Sequence, residues 1–178
     1  MSVNIISIFL LYFLTSGCAT VDYTKTVDKI DIHRFMGDWY VVAGRTTFLE
    51  KNAFNSLEQY SWNVAKNRID IKFTFNKGSF TGNKKIIGQK AWIENQTTKA
   101  HWKVQPFWPL KLDYLVLALD PDYKWTIIGV PSQSYVWIMT RESNPPEALI
   151  ASLIKKVSLI DYADHDIKII PQKWTLAD

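Results

Sequence analysis

Phe35-Met36-Gly37-Asp38-Trp39-Tyr40-Val41-Val42-Ala43 is the stretch on which the fold turns. Gly37 can take a tight bend that a residue with a Cβ resists. Trp39 then opens a β-branched, apolar run that reads as a strand. A Trp at a strand mouth suits the end of a small barrel, whose interior side chains or a ligand must fill. Taken by itself, the segment reads first as an ordinary strand with a core Trp, so the rest of the chain has to decide.

Downstream, short strand-like segments follow one another. Ser56–Asn63 sets Leu57, Gln59 and Ser61 against Glu58, Tyr60 and Trp62. Arg68–Asn76 alternates sharply, with Ile69, Ile71, Phe73 and Phe75 on one face and Asp70, Lys72 and Thr74 on the other. Period-two alternation marks a half-buried strand. Ile86–Glu94, Lys99–Gln105, Leu112–Asp120, Tyr123–Val130 and Tyr135–Arg141 complete the set. With Trp39–Arg45 this makes eight strands, the number that closes a small up-and-down barrel able to hold one ligand. The period then changes. Asn144-Pro145-Pro146-Glu147 starts a helix, and Ala148, Leu149, Leu153, Ile154 and Val157 follow at helical spacing. The expected fold is all-β: an eight-stranded antiparallel barrel with one C-terminal helix packed outside. Ile167–Ile170 is expected to add a short strand or to cover the sheet.

The 178 residues suffice for one domain with a sizeable core. Aromatics reach 14% and the net charge is +4, with Lys and Arg scattered among acids, so no nucleic-acid footprint is present. The beginning of the chain is different material. Val3–Leu14 is almost wholly apolar but short of the roughly 20 residues of a membrane span. It reads as the core of an export signal. Cys18, the only cysteine, excludes an internal disulfide. A signal peptide over residues 1–17, a tether over 18–29 and a barrel domain over 30–178 are expected, the cut before Cys18 being what the resemblance of Leu14–Cys18 to a bacterial lipobox implies.

Catalytic signatures are lacking. No Gly-x-Ser-x-Gly elbow or Walker loop occurs, and His33, His101 and His165 lack metal-ligand spacing. No enzyme, metal or cofactor is expected. On period-two grounds Tyr135, Trp137 and Met139 share a face with Arg141, and Tyr114, Val116 and Ala118 form a face of the sixth strand. Trp92, Val41 and Ala43 are further candidates for the lining. The residues alone leave a ligand cavity and a filled core equally open, and a one-residue slip would reverse any face.

Three motifs in order carry a resemblance. Gly37-Asp38-Trp39-Tyr40, Ala118-Leu119-Asp120-Pro121-Asp122-Tyr123 and Tyr135-Val136-Trp137-Ile138-Met139-Thr140-Arg141 resemble the signatures of the lipocalin family. Leu14-Thr15-Ser16-Gly17-Cys18 resembles a bacterial lipobox, with Thr15 where Leu is usual. Together with Lys103-Val104 and Pro106-Phe107-Trp108-Pro109, this is similar to the bacterial outer-membrane lipoprotein lipocalins of the Blc type. The resemblance implies that Arg141 packs across Trp39 at a closed barrel end, with Gly37 beside them, as structural residues. It implies a cavity at the other end for a fatty acid, lysophospholipid or other small hydrophobic ligand. It further implies lipidation of Cys18, anchoring at the periplasmic face of the outer membrane, and room for a homodimer. Arg45, Lys51 and Lys111 are candidate rim cations for an anionic head. The apolar loop Phe107-Trp108-Pro109-Leu110 is expected either to touch a membrane, to gate the ligand, or to pack on the barrel. The competing classes are a lipid-modifying enzyme in the same cavity and a structural envelope protein with a filled core.

Overall fold

All eight expected segments form strands, with ends displaced by up to three residues. In chain order they are β1 (Gly37–Arg45), β2 (Ala53–Asn63), β3 (Arg68–Lys77), β4 (Lys84–Ile93), β5 (His101–Phe107), β6 (Leu110–Leu119), β7 (Trp125–Gly129) and β8 (Val136–Thr140). The computed structural model describes residues 22–174. The leader 1–17 and Cys18 lie outside the described residues.

Each strand pairs antiparallel with the next, and β1 closes the ring by pairing with both β2 and β8. Closure leaves no open edge, the device by which small antiparallel sheets avoid unpaired backbone. Strand β1 is shared between partners along its length. Gly37–Tyr40 pair with Tyr60–Leu57, whereas Ala43 and Gly44 pair with β9 (Lys168–Ile169). The chain after β9 stitches the gap that results. Gln172 Nε2 donates to the carbonyls of Val41 at 2.7 Å and Ser56 at 3.2 Å, and Asn55 N–H donates to Pro171.

The apolar residues divide into two clusters. One fills the barrel: Phe35, Trp39, Val41, Tyr60, Ile69, Trp102, Val116, Met139 and their neighbours. The other lies between the outer wall and helix α2 (Glu147–Leu159), where Leu153 and Val157 meet Val42, Ala43, Leu115, Ile127 and Ile138. Two β-bulges, between Val41 and Ala43 and between Val116 and Ala118, exchange the faces midway along β1 and β6. An extra residue in one strand shifts everything beyond it by half a period. Ala43, expected to line the cavity, therefore packs outside under α2, and Ala118 leaves the face of Tyr114 and Val116 in the same way. Residues 22–29, expected as a tether, are already laid on the barrel. Tyr23 is buried, its hydroxyl donating to the Ile160 carbonyl at 2.7 Å, and Val27 N–H donates to Val116.

Behind α2 the chain returns to the barrel through Tyr162. Its hydroxyl accepts from Val130 N–H at 2.9 Å and donates to the Tyr135 carbonyl at 2.7 Å. The ring lies against Gly129, where a Cβ would come within 2.7 Å of both Tyr162 and Leu117. Gly129→Ala is thus expected to destabilise by about 1–3 kcal/mol through overpacking. Denaturant titration would read this as a lower midpoint with an unchanged slope.

Candidate functional site

The closed end is built from short-range chemistry. Asp31 caps α1 (Ile32–Phe35), its carboxylate accepting from the N–H groups of His33 and Arg34. At the other end of so short a helix the carbonyls have no helical partners. Arg141, arriving one residue after β8, supplies them. Its Nη2 meets the carbonyls of Arg34, Phe35 and Met36 at 2.8, 3.0 and 2.8 Å, and Nη1 donates to Asp38 at 2.7 Å. The guanidinium lies over the indole of Trp39, 3.8 Å from the ring centre. Burial lowers the Arg141 pKa, and Asp38 opposes this. Trp39 is wholly buried and donates from Nε1 to Phe35 at 2.8 Å. Gly37 runs at φ +96° close beneath Arg141, where an added Cβ would stand 3.2 Å from Nη1. Gly37, Trp39 and Arg141 are thus brought together.

Above this floor rises a stack of aromatic rings. Phe35 meets Trp39, Tyr60 and Trp102, and Trp102 lies face to face with Tyr114 at 5.0 Å. Packing is solid up to that level. Val41, Val116 and Met139 belong to this inner core and are fully buried, without reaching a cavity wall.

Beyond Tyr114 the barrel opens into a cavity of about 290 Å³. Its walls are mainly apolar: Ile71 and Phe73 from β3, Ile87 from β4, Val104 from β5, Leu112 from β6. Tyr114, Tyr135 and Trp137, read from the sequence as lining, are on the wall. Trp92 is not. Its neighbour Ala91 faces inward opposite Val104, so Trp92, opposite Lys103, faces out and carries Lys111 Nζ 4.5 Å above its ring. The strand alternates as expected but one residue out of step, the slip to which a period-two reading is exposed. A 3-10 turn, Phe48–Glu50, folds over the mouth and contributes Phe48, Leu49 and Glu50. Phe107 and Leu110 form part of the rim, while Trp108 at the hairpin tip is 84% exposed, so the tip does not pack on the barrel.

Two acidic residues on the wall were not singled out from the sequence. Glu58 is 8% exposed and accepts a hydrogen bond from the Tyr60 hydroxyl, which lies 2.8 Å from that of Tyr114. Burial pushes its carboxyl up to about 7, against the Tyr60 bond and with help from the Glu50 charge. Burial likewise raises Tyr60 and Tyr114. Glu50 is as buried. It accepts from Trp137 Nε1 at 3.0 Å and Thr47 Oγ1 at 2.8 Å, and burial outweighs these bonds to raise its pKa. The shared face of Glu58, Tyr60 and Trp62 was visible in the alternation; that it points inward was not. Asp113 also borders the cavity. Burial pushes it up, but bonds from Lys103 and His101, both at 2.6 Å, outweigh this and hold it below its usual value.

Two of the three expected rim cations are engaged elsewhere, and the third does not line the cavity. Arg45 donates to the carbonyls of Gln133, Ser134, Ala163 and His165, tying two loops together. Lys111 covers Trp92, and Lys51 is exposed. Among the described residues no Lys, Arg or His lines the cavity.

A closed eight-stranded barrel with a sealed floor and one apolar cavity opening at the far end defines a class of small-ligand-binding barrels. The family profile described as Lipocalin-like domain matches residues 30–172. The chain belongs to that family. It is 28% identical over 159 residues to temperature-induced lipocalin-1 of Arabidopsis thaliana, covering 85% of this chain and 84% of the relative. With outer membrane lipoprotein Blc of Vibrio cholerae it shares 25% identity over 154 residues, 84% of this chain and 88% of the relative. Among solved structures, insecticyanin from the tobacco hornworm Manduca sexta superposes with a TM-score of 0.64 at 16% identity. That match covers 89% of this chain and 88% of the other, and it speaks for the fold.

Proposed function

We propose that the protein is a lipid-anchored carrier of small hydrophobic molecules, among them fatty acids or lysophospholipids, at the periplasmic face of a bacterial outer membrane. The single observation that carries the reading is the apolar cavity of about 290 Å³ above a sealed floor. It lies at the lower end of the roughly 300–1,000 Å³ of small-molecule sites. Family membership supports binding of small hydrophobic ligands. The similarity to a Blc lipoprotein, with the lipobox-like Leu14–Cys18, supports the anchor and its location. An apolar rim favours exchange with a lipid surface: Phe48 is 79% exposed and Trp108 84%. A chain entering from that surface meets Phe107 and Leu110 first and comes to rest against Phe73, Val104 and Trp137.

Native mass spectrometry of protein extracted from membranes tests this, comparing the natural chain with Cys18→Ala and with Ile87→Trp, which fills part of the cavity. The expected result is an acylated protein with a co-purifying amphiphile. Cys18→Ala should lose the acyl mass and leave the membrane fraction while keeping the ligand. Ile87→Trp should keep the anchor and lose most of the ligand, an affinity drop of about tenfold or more as filled volume excludes a chain. An empty protein that takes up no added fatty acid or lysophospholipid would refute the carrier. Turnover of added lysophospholipid would favour a lipid-modifying enzyme.

A further inference from the structure

We propose that the inner end of this cavity receives the protonated primary amine of a long-chain amphiphile. The inference rests on the carrier reading and deepens it: an amine enters head-first, whereas a fatty acid presents only its tail to this end.

The polar atoms of the cavity are one-sided. Glu58 and Glu50 both face it, and neither has a cationic partner among the described residues. Asp113, the third carboxylate, is already neutralised by Lys103 and His101. A carboxylate head pushed into this space would meet two acids and no cation. An ammonium beside Glu58 would meet a carboxyl without a cationic partner, with Glu50 adding acid to the same cavity lining.

Glu58 has a vacant acceptor to offer. One of its oxygens takes the Tyr60 hydroxyl, and no described residue donates to the other. Ser56 Oγ is the only fully enclosed side-chain oxygen or nitrogen lacking a partner among the described residues, so the free oxygen of Glu58 borders open space. Tyr60 has a single hydroxyl proton. When that proton goes to the carboxylate, Tyr60 must accept from Tyr114, which aligns both phenols toward Glu58. Such a chain stabilises a fixed carboxylate and leaves its outer lone pairs for a ligand donor. Tyr114 and Trp137, aromatic residues of the kind cations favour, line the same cavity.

The titration of the site has a definite sign. The groups facing Glu58 are Tyr60 on its own strand, Tyr114 on β6 and Glu50 on the 3-10 turn; none is cationic. With Glu58 titrating at about 7, an ammonium must displace a proton below that pH and finds a carboxylate above it. Amine affinity therefore falls toward about tenfold per pH unit below 7. A fatty carboxylate responds in the opposite direction.

Competition of decylamine and decanoate against a cavity-bound fluorescent probe decides the matter, using the full chain. At about pH 8 decylamine should displace the probe at least about tenfold more tightly than decanoate. The preference should shrink as pH drops below 7. Glu58→Gln should remove most of the preference and its pH dependence while still admitting decanoate, and thermal unfolding verifies that the variant is folded. Should that variant fail to fold, the pH profile of the natural chain decides alone. Equal binding of the two probes at about pH 8, or an unchanged ratio in folded Glu58→Gln, overturns the amine site and leaves the carrier standing. Displacement by neither overturns both.

Discussion

Arg141→Ala is expected to lower the unfolding free energy by about 2–4 kcal/mol while ligand affinity of the folded protein stays nearly unchanged. The guanidinium satisfies four carbonyls, three of them at the end of α1, and covers the Trp39 indole at 3.8 Å. Truncation strips the carbonyls of Phe35 and Met36 of a charged donor and opens the Trp39 face to water. Charged hydrogen bonds are worth about 1.5–3 kcal/mol each, but these act as a unit, and part of the loss is recovered because the site borders solvent. The melting temperature should fall by roughly 4–16 °C at 2–4 °C per kcal/mol. Arg141→Lys should recover little, because a point charge cannot reach the carbonyls of both α1 and β1 or lie flat on an indole. The cavity starts only above the Phe35, Trp102 and Tyr114 layer, so its geometry is insulated from the change. Loss of ligand binding with an unaltered unfolding curve would reverse these roles.

Glu58→Gln is expected to stabilise the ligand-free protein at about pH 8 by about 1–3 kcal/mol, with no gain below about pH 5. An ordinary unfolded Glu titrates near 4.5, and in the folded state burial pushes Glu58 to about 7. A group whose pKa rises on folding contributes its stability fully below the unfolded value, and that contribution is lost as pH climbs through the folded one. The span corresponds to an order of about 3 kcal/mol, and the amide recovers only part because its N–H₂ still faces an apolar wall. Glu50 has the same sign, whereas Asp113, held below its usual value, strengthens the fold above the carboxylate range and weakens it as acid is added. These other groups are common to both proteins. The difference between their melting temperatures should therefore grow from about pH 5 to pH 8 and level off. A pH-independent difference would show that Glu58 is not buried as an acid.

Much of the fold was legible because its signals are local. Ile69, Ile71, Phe73 and Phe75 alternate strictly, and all four face inward. Leu153 and Val157 stand one turn apart and are the buried residues of α2. Trp39 and Arg141 were paired only through a family likeness, and the structure shows a fuller reason: Arg141 completes the hydrogen bonding of α1 as well as stacking. The lining was legible in part. Tyr114, Tyr135 and Trp137 lie on the wall because β6 below its bulge and the approach to β8 keep simple alternation. Ala43 failed through a bulge with no distinctive residue to announce it, and Trp92 through a slip of one position. Arg45, chosen as a rim cation, is spent on loop carbonyls that are distant in the chain.

The sequence by itself determined the strand count and the helix that follows, since each is written in contiguous residues. Only the tertiary structure decided where packing stops and the cavity begins, and that two buried carboxyls face it. That outcome depends on how side chains from β2, β3, β4, β5, β6 and β8 share one enclosed volume. The charge of such a volume is a sum over residues far apart in the chain, so no single stretch carries it.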